Sequence, residues 1–285
     1  RQLLNRVFVK CKGCGLGDSK LGDVPDGCER CGSEDLSTIT FIIPDFGFLG
    51  KSLTEKPGEA RPPKSGYAEY SFGSYQSTPP AFSPHQFGGV RVQTRFSRQG
   101  KVTVINRGSL GRRFQICIFC GYASLPPSGK GKPPTSHPRP NGKGECTAML
   151  SVRALGHEFL TDVVEVKPEV RFSDGEGRSA LAALIASLPT IGIASRDVSG
   201  ELARDRDDFS LVFFDAVPGG AGHVRYMVKH LEVLVRDAVN LVENCSCGVD
   251  SSCYSCLRSY ENEYHHDELR RDEAMTLLRK LVATD

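Results

Sequence analysis

The sequence predicts an α+β fold assembled from several modules, and three observations predict it. Cysteines fall in closely spaced groups, β-branched and aromatic residues alternate through the first half, and helical apolar spacing is confined to the last third. Eleven cysteines stand at 11, 14, 28, 31, 117, 120, 146, 245, 247, 253 and 256 of 285 residues, an odd number that does not suit a simple disulfide framework. No apolar run approaches the ~20 residues of a membrane span, and no apolar stretch opens the chain as a secretory signal requires. The expectation is a reduced, cytoplasmic setting, no membrane partner, and cysteines that bind metal. The first residue is Arg rather than Met, which reads as a piece of something longer.

The first segment, 1–50, holds CKGCG and CERCG. Cys11, Cys14, Cys28 and Cys31 form two Cys-x-x-Cys knuckles, 13 residues apart and each followed by glycine. Such a turn aims two thiolates at one tetrahedral ion, and the glycine accepts the tight backbone. Two knuckles at this separation specify a zinc ribbon. STITFII after it reads as a strand ending in a turn at Pro44.

The second segment, 51–146, is a basic β and loop module. Its first part is rich in Gly, Pro, Ser and Lys, which predicts loops with short edge strands because proline cannot donate within a ladder. VRVQTRFSRQGKVTVINRG reads as a hairpin with Gln99-Gly100 at its turn. CIFCG supplies Cys117 and Cys120, while Cys146 stands alone. His137 lies between them and completes Cys-x2-Cys-x16-His-x8-Cys, so that eleven cysteines and one histidine make three sets of four. The competing reading leaves Cys146 as a buried free thiol and His137 as a solvated loop residue.

The third segment, 147–285, has a mixed α/β texture. TAMLSVRALGHEFLTDVVEVKPEV suggests two strands, RSALAALIASL from 178 a helix, and DFSLVFFDA a buried strand ending at Asp215. PGGAGH turns into a helix whose Val224, Met227, Leu231, Leu234, Ala238 and Leu241 share one face. Cys245, Cys247, Cys253 and Cys256 follow, then an amphipathic helix from about Asp272. A thioredoxin-type redox pair is the rival reading of CYSC, but such a pair uses two cysteines and not four. Four protein ligands close a site, so all three zinc ions are expected to be structural staples for a loop-rich chain.

Net charge is +2, yet no acidic residue occurs between Glu69 and Glu145, where eleven basic ones do; elsewhere 25 basic residues face 34 acidic. A chain polarised in this way suggests that its basic module meets a polyanion. Arg91, Arg95, Arg98, Lys101, Arg107, Arg112 and Arg113 are the candidate phosphate contacts, and interleaved Tyr and Phe residues suit single-stranded DNA. Filling a small β core is the alternative fate of those rings, with one or two left exposed.

Other chemistry is thin. No GxxxxGK[ST] P-loop is present, so this chain is not expected to turn over ATP. PGGAG admits two readings, a phosphate-binding turn or a tight turn that needs glycine. Asp162, Glu165 and Lys167 in TDVVEVK would be the residues of a metal-dependent nuclease, although the additional upstream acid is missing. His157, His223 and His230 are scattered and read as structural.

The C-terminal third carries a resemblance. Cys245-x-Cys-x5-CYSCL, the Tyr-rich segment after it, a His and an Arg-led helix resemble the zinc-binding domain of MrfA-like DEAD/DEAH-box DNA helicases. LGHEFLTDVVEV and LVFFDAVPGGAGHV are similar to two upstream blocks of that domain, and the likeness covers roughly 147–285. The ribbon and FIIPDFGF resemble the segment preceding this domain in long bacterial helicases of the group. The resemblance implies that Cys245, Cys247, Cys253 and Cys256 are zinc ligands and that Asp215, Gly219, Gly220 and Gly222 form a turn block. Asn262-Glu263 departs from the Asn-Gln that family members often carry. The implied context is an ATP-driven helicase or translocase in DNA repair or phage defence, its motor N-terminal to Arg1 or on a partner chain. A protein-interaction scaffold for a helicase subunit and a nuclease are the other function classes considered.

Overall fold

A computed structural model describes residues 5–14, 17–29, 31–44, 68–76, 78, 80–87, 90–108, 111–126, 134–205 and 208–282. The first half contributes β1 (Asn5–Cys11), β2 (Gly17–Leu21), β3 (Leu36–Ile42), β4 (Ala68–Tyr75), β5 (Ser83–Phe87), β6 (Val90–Asn106), β7 (Phe114–Ile116), β8 (Ala123–Ser124), β9 (His137–Pro138) and β10 (Glu145–Cys146). The second half contributes β11 (Ser151–Pro168), α1 (Asp174–Ser187), β12 (Val198–Asp205), β13 (Asp208–Asp215), α2 (His223–Lys229), α3 (Leu231–Glu243) and α4 (Arg271–Val282). The α+β expectation holds. All described strands except the β9–β10 pair join one 11-stranded sheet.

Strand β11 is the junction. Its start pairs with β7, its residues 154–155 run parallel to β3, and residues 163–166 pair antiparallel with β13. Strand β6 lies antiparallel along it from Leu155 to Pro168. The buried run from Thr161 to Val166 fits a strand covered on both faces, where strict alternation gives way to continuous burial. Ribbon, basic segment and C-terminal segment therefore share one sheet; the composition changes near 50 and 146 do not divide it.

Two sequence expectations are corrected here. The hairpin at Gln99-Gly100 is one continuous strand, and the two strands expected after residue 147 are one. Gly100 pairs with Thr161 and Ser97 with Val163, which leaves Arg98 and Gln99 opposite Asp162 alone, a β-bulge. A Cβ on Gly100 would lie 2.0 Å from Val163 Cγ2. Glycine is required there by a close approach and not by a turn. Gly156 in β11 has the same cause: a Cβ would meet the Phe41 ring at 2.6 Å and the Val104 carbonyl at 2.7 Å.

Helices α1, α3 and α4 cover one face of the sheet. Leu181, Leu184, Leu234, Ala238, Leu277 and Leu278 pack there with Val164, Leu211 and Phe213. On the other face Val102, Val104, Val163, Val212 and Phe214 gather Tyr70, Phe72 and Tyr75 around them. Helix α1 starts earlier than its apolar spacing indicated, because Ser173 and Glu176 form a capping box. The helix expected after PGGAGH is two, broken at His230, whose ring nitrogen Nδ1 sits 3.0 Å from the Tyr226 carbonyl and competes for it with the helical ladder. No helix among the described residues is long and apolar enough to cross a membrane.

Gly100→Ala should lower stability by about 1–3 kcal/mol through overpacking, read by urea unfolding. Pairing it with Val163→Ala should cost less than the sum of the two single changes, because the second opens the space that the first fills.

Candidate metal centres and nucleic-acid interface

All twelve expected ligands come together in their three sets. Cys11, Cys14, Cys28 and Cys31 form one cluster, Cys117, Cys120, His137 and Cys146 a second, and Cys245, Cys247, Cys253 and Cys256 a third, with the donor atoms of each within 4.8 Å of one another. Sulfur–sulfur distances run from 3.5 Å for Cys14–Cys28 to 3.9 Å for Cys117–Cys146. A tetrahedral zinc with Zn–S bonds near 2.3 Å sets its sulfurs about 3.8 Å apart, whereas a disulfide needs ~2.05 Å. All eleven cysteines are unbridged, and the spacing fits one ion per cluster.

The knuckles are built locally. Gly32 and Gly121 follow the second cysteine of their pairs at φ +73° and +79°, and their N–H groups donate to the Cys28 and Cys117 carbonyls at 2.8 and 2.9 Å. An L-residue rarely adopts that conformation, which is why glycine stands there. His137 is 2% exposed; its Nε2 lies 3.3 Å from Cys120 Sγ and its ring stacks on Tyr122 at 4.8 Å. The arithmetic that paired His137 with three cysteines is matched by geometry. The competing picture of a solvated loop histidine is not.

The third cluster is tied to the helical layer by a residue that the sequence reading gave no role. Arg271 opens α4 and is 5% exposed. Its guanidinium donates to the Val242 carbonyl at 2.7 and 2.9 Å, to Glu243 O at 3.2 Å, and to the Cys247 carbonyl. It thereby satisfies the last carbonyls of α3 and holds the cysteine loop against α4. The signal was available: a cation at a helix N-terminus opposes the helix dipole and calls for a reason. Burial works against the thiolates of Cys247, Cys253 and Cys256. The Ser255 N–H and neighbouring sulfurs nevertheless bring Cys253 down to about 7, whereas Cys256, with Cys247 and Cys245 beside it, is pushed up to about 12.

The turn block is a carboxylate cage. Asp215 accepts from the N–H groups of Ala221 at 2.5 Å, Gly222 at 2.7 Å, His223 at 3.2 Å and Val224 at 2.9 Å. An internal anion fills the nest that a phosphate would use, which decides for the structural reading. Gly219, Gly220 and Gly222 all have φ between +73° and +84°, and a Cβ on Gly220 would lie 2.6 Å from Asp162 Cγ. Burial, and then the charge of Asp215, raise the pKa of Asp162.

The basic segment is less open than its sequence suggests. Arg95 binds Glu165 at 2.6 Å and lies over the Phe82 and Tyr75 rings; Lys101 binds Asp18 at 2.9 Å and Glu158 at 3.6 Å. Acids from β2 and β11 thus neutralise two cations whose own segment has none. Arg98 and Arg112 are exposed, Arg112 donating to the Pro126 carbonyl at 2.9 Å. Arg107 and Arg113 are half-buried in the turn after β6, and Arg91 is in β6 with its side chain outside the described residues. Lys130 and Lys132 also lie outside them. Of the nearby rings, Phe119 is 71% exposed, while Tyr70, Phe72 and Tyr75 pack in the core. Two of the nuclease residues are engaged elsewhere. Glu165 is taken by Arg95 and the Tyr75 hydroxyl, and Lys167 by Asp208 at 2.9 Å.

Comparison with known proteins agrees with the third cluster. Residues 180–257 match the family model of the MrfA Zn-binding domain, from α1 through Cys256. The chain is similar to Druantia protein DruE of Escherichia coli (strain UMEA 4076-1), 24% identical over 98% of this chain and 17% of that protein. It is also similar to solved structures of the DUF1998 helicase MrfA bound to DNA, at 14% identity and TM-score 0.39 over 76% of this chain and 26% of that one. With AMPPNP also bound, the values are 12% and 0.31 over 74% and 22%. The chain thus spans under a third of the length of each relative. Within it, residues 180–257 are similar to a zinc-binding domain of the MrfA type.

Metal analysis of the purified chain should find three zinc ions, one for each cluster. His137→Ala should lose one of them to a mild chelator while the four-cysteine sites keep theirs. Loss of all three together would mean that the sites are not independent.

Proposed function

We propose that this chain is the accessory, non-motor region of an ATP-dependent DNA helicase or translocase, acting in repair or defence in the cytoplasm. It holds single-stranded DNA beside a motor that lies elsewhere in the same polypeptide or on a partner chain. The match of residues 180–257 to the MrfA Zn-binding domain carries the reading. In this view residues 1–50, 51–146 and 147–285 act as ribbon, DNA-gripping module and motor-facing domain.

The grip falls to the cations that remain exposed: Arg98, Arg112, Arg139 and Lys143. Phosphate contacts of this kind position a strand without reading its sequence. Arg95 and Lys101 instead hold the sheet together. The zinc sites keep the loops in place, and the ions take no part in chemistry. A scaffold that meets a helicase subunit is the second reading. The exposed apolar side chains Phe119, Leu125 and Met149, at 71%, 60% and 83%, favour it.

Fluorescence anisotropy of the zinc-loaded chain with single- and double-stranded oligonucleotides separates the two. Affinity should fall steeply between about 50 and about 200 mM salt, by a log–log slope near −0.7 for each single-strand phosphate contact. Arg98→Glu with Arg112→Glu should flatten that slope. Arg95→Ala should instead destabilise the fold, because it leaves Glu165 buried without its cation. No affinity at the lower salt would sink the DNA reading and leave the scaffold.

A further inference from the structure

A cleft of about 720 Å³ opens between the segment that follows the third cysteine cluster, helix α1, strand β12 and the end of β6. Its size suits a ligand of a few hundred daltons. Ala182, Ile185, Ala186 and Leu257 give it an apolar floor, and Tyr70 and Tyr254 contribute rings to its walls. Tyr70 is anchored against Phe214 with ring centroids 6.3 Å apart, whereas Tyr254 is 69% exposed although it sits between two cysteines of the cluster.

Two arginines line the same space, Arg107 and Arg258. Arg258 is half-buried and aimed by one contact, Nε to Ser252 Oγ at 2.9 Å; no carboxylate pairs with it among the described residues. Glu261 and Glu263 also face the cleft, so its charge is close to balanced. The loop that carries these groups is held internally. Asn262 accepts from the Ser259 N–H and donates to the Leu257 carbonyl, both at 2.8 Å, and His266 Nε2 lies 2.9 Å from the Ser259 carbonyl.

We propose that this cleft binds a nucleotide unit with a single phosphate, its base against the tyrosine rings and apolar floor and its phosphate on Arg258 and Arg107. Rings offer a face to any base, and a planar guanidinium matches phosphate oxygens. The two glutamates accept from amino or hydroxyl groups and disfavour a triphosphate. A free mononucleotide and one unit of a DNA strand share this chemistry. Only the strand-bound form rests on the DNA reading above.

The chain has no tryptophan, so Tyr254→Trp places a single indole at the mouth of the cleft while keeping a ring there. Deoxynucleoside monophosphates should quench its fluorescence saturably. The triphosphate should bind no more tightly than the monophosphate, and inorganic phosphate alone should have no effect. Adding Ala186→Leu, which fills the floor, should weaken binding at least about tenfold, with zinc content and melting temperature unchanged as the check on folding. Single-stranded oligonucleotides that quench the same indole and lose affinity with Ala186→Leu identify a strand unit. Oligonucleotides that bind without touching the indole leave the free nucleotide as ligand. Absence of saturable quenching by mononucleotides and by strands overturns the proposal, even where anisotropy reports DNA binding elsewhere on the chain. Quenching by mononucleotides with no strand affinity overturns the DNA reading and keeps the cleft.

Discussion

An 18-residue strand needs partners along both edges, and β11 obtains them from every part of the chain. It joins the ribbon through β3, the basic segment through β6 and β7, and the helical layer through β13. A one-residue slip would turn every side chain of β11 to the opposite face. Its register is therefore the constraint on which the rest depends. The bulge opposite Asp162, fixed by the contact of Gly100 with Val163, sets that register on the β6 side. The register also decides the electrostatics. Arg95 falls directly across from Glu165, and Glu158 reaches Arg6 and Lys101. A segment with no acid of its own is partly neutralised by the strand beside it.

The metal clusters stand where apolar packing is thinnest. Around the first, Cys11, Cys14 and Cys28 are themselves the buried residues, with Leu36 against them; around the second, Cys117 and Cys146 share that position with Leu150. Loops of this kind cannot offset their conformational entropy with so few apolar contacts. A zinc ion bound by four protein ligands supplies about 10–16 kcal/mol in small domains. The third cluster differs, since Cys256 and Leu257 belong to the main core and Arg271 ties the loop to two helices. Loss of metal there would loosen the helical layer, not a loop alone.

Much of the metal chemistry was legible in the sequence, because cysteine spacing records geometry directly. His137 could be assigned by counting, since eleven thiols need one more donor to close three sites. The strand β6 was misread because glycine carries two meanings. At Gly100, as at Gly156 in β11, it marks a close approach, and no local signal distinguishes that from a turn. The fate of Arg95 and Lys101 was hidden for another reason. Their counter-charges lie 70 and 83 residues away, at Glu165 and Asp18, and only strand pairing brings them near. Asp215 was legible as part of a turn block, and the structure adds why: its carboxylate organises four N–H groups at the start of α2.

If β11 holds the fold and the ions hold the loops, hydrogen exchange with and without a chelator separates the two roles. Removing zinc should release the amides of the described residues within 11–31, 117–146 and 245–256, and to a lesser degree those of α3 and α4 beside the third cluster, while those of Thr161–Val166 remain the slowest to exchange. Equal loss of protection in β11 and the loops would contradict this account and make the metal sites, not the strand, the element on which the fold depends.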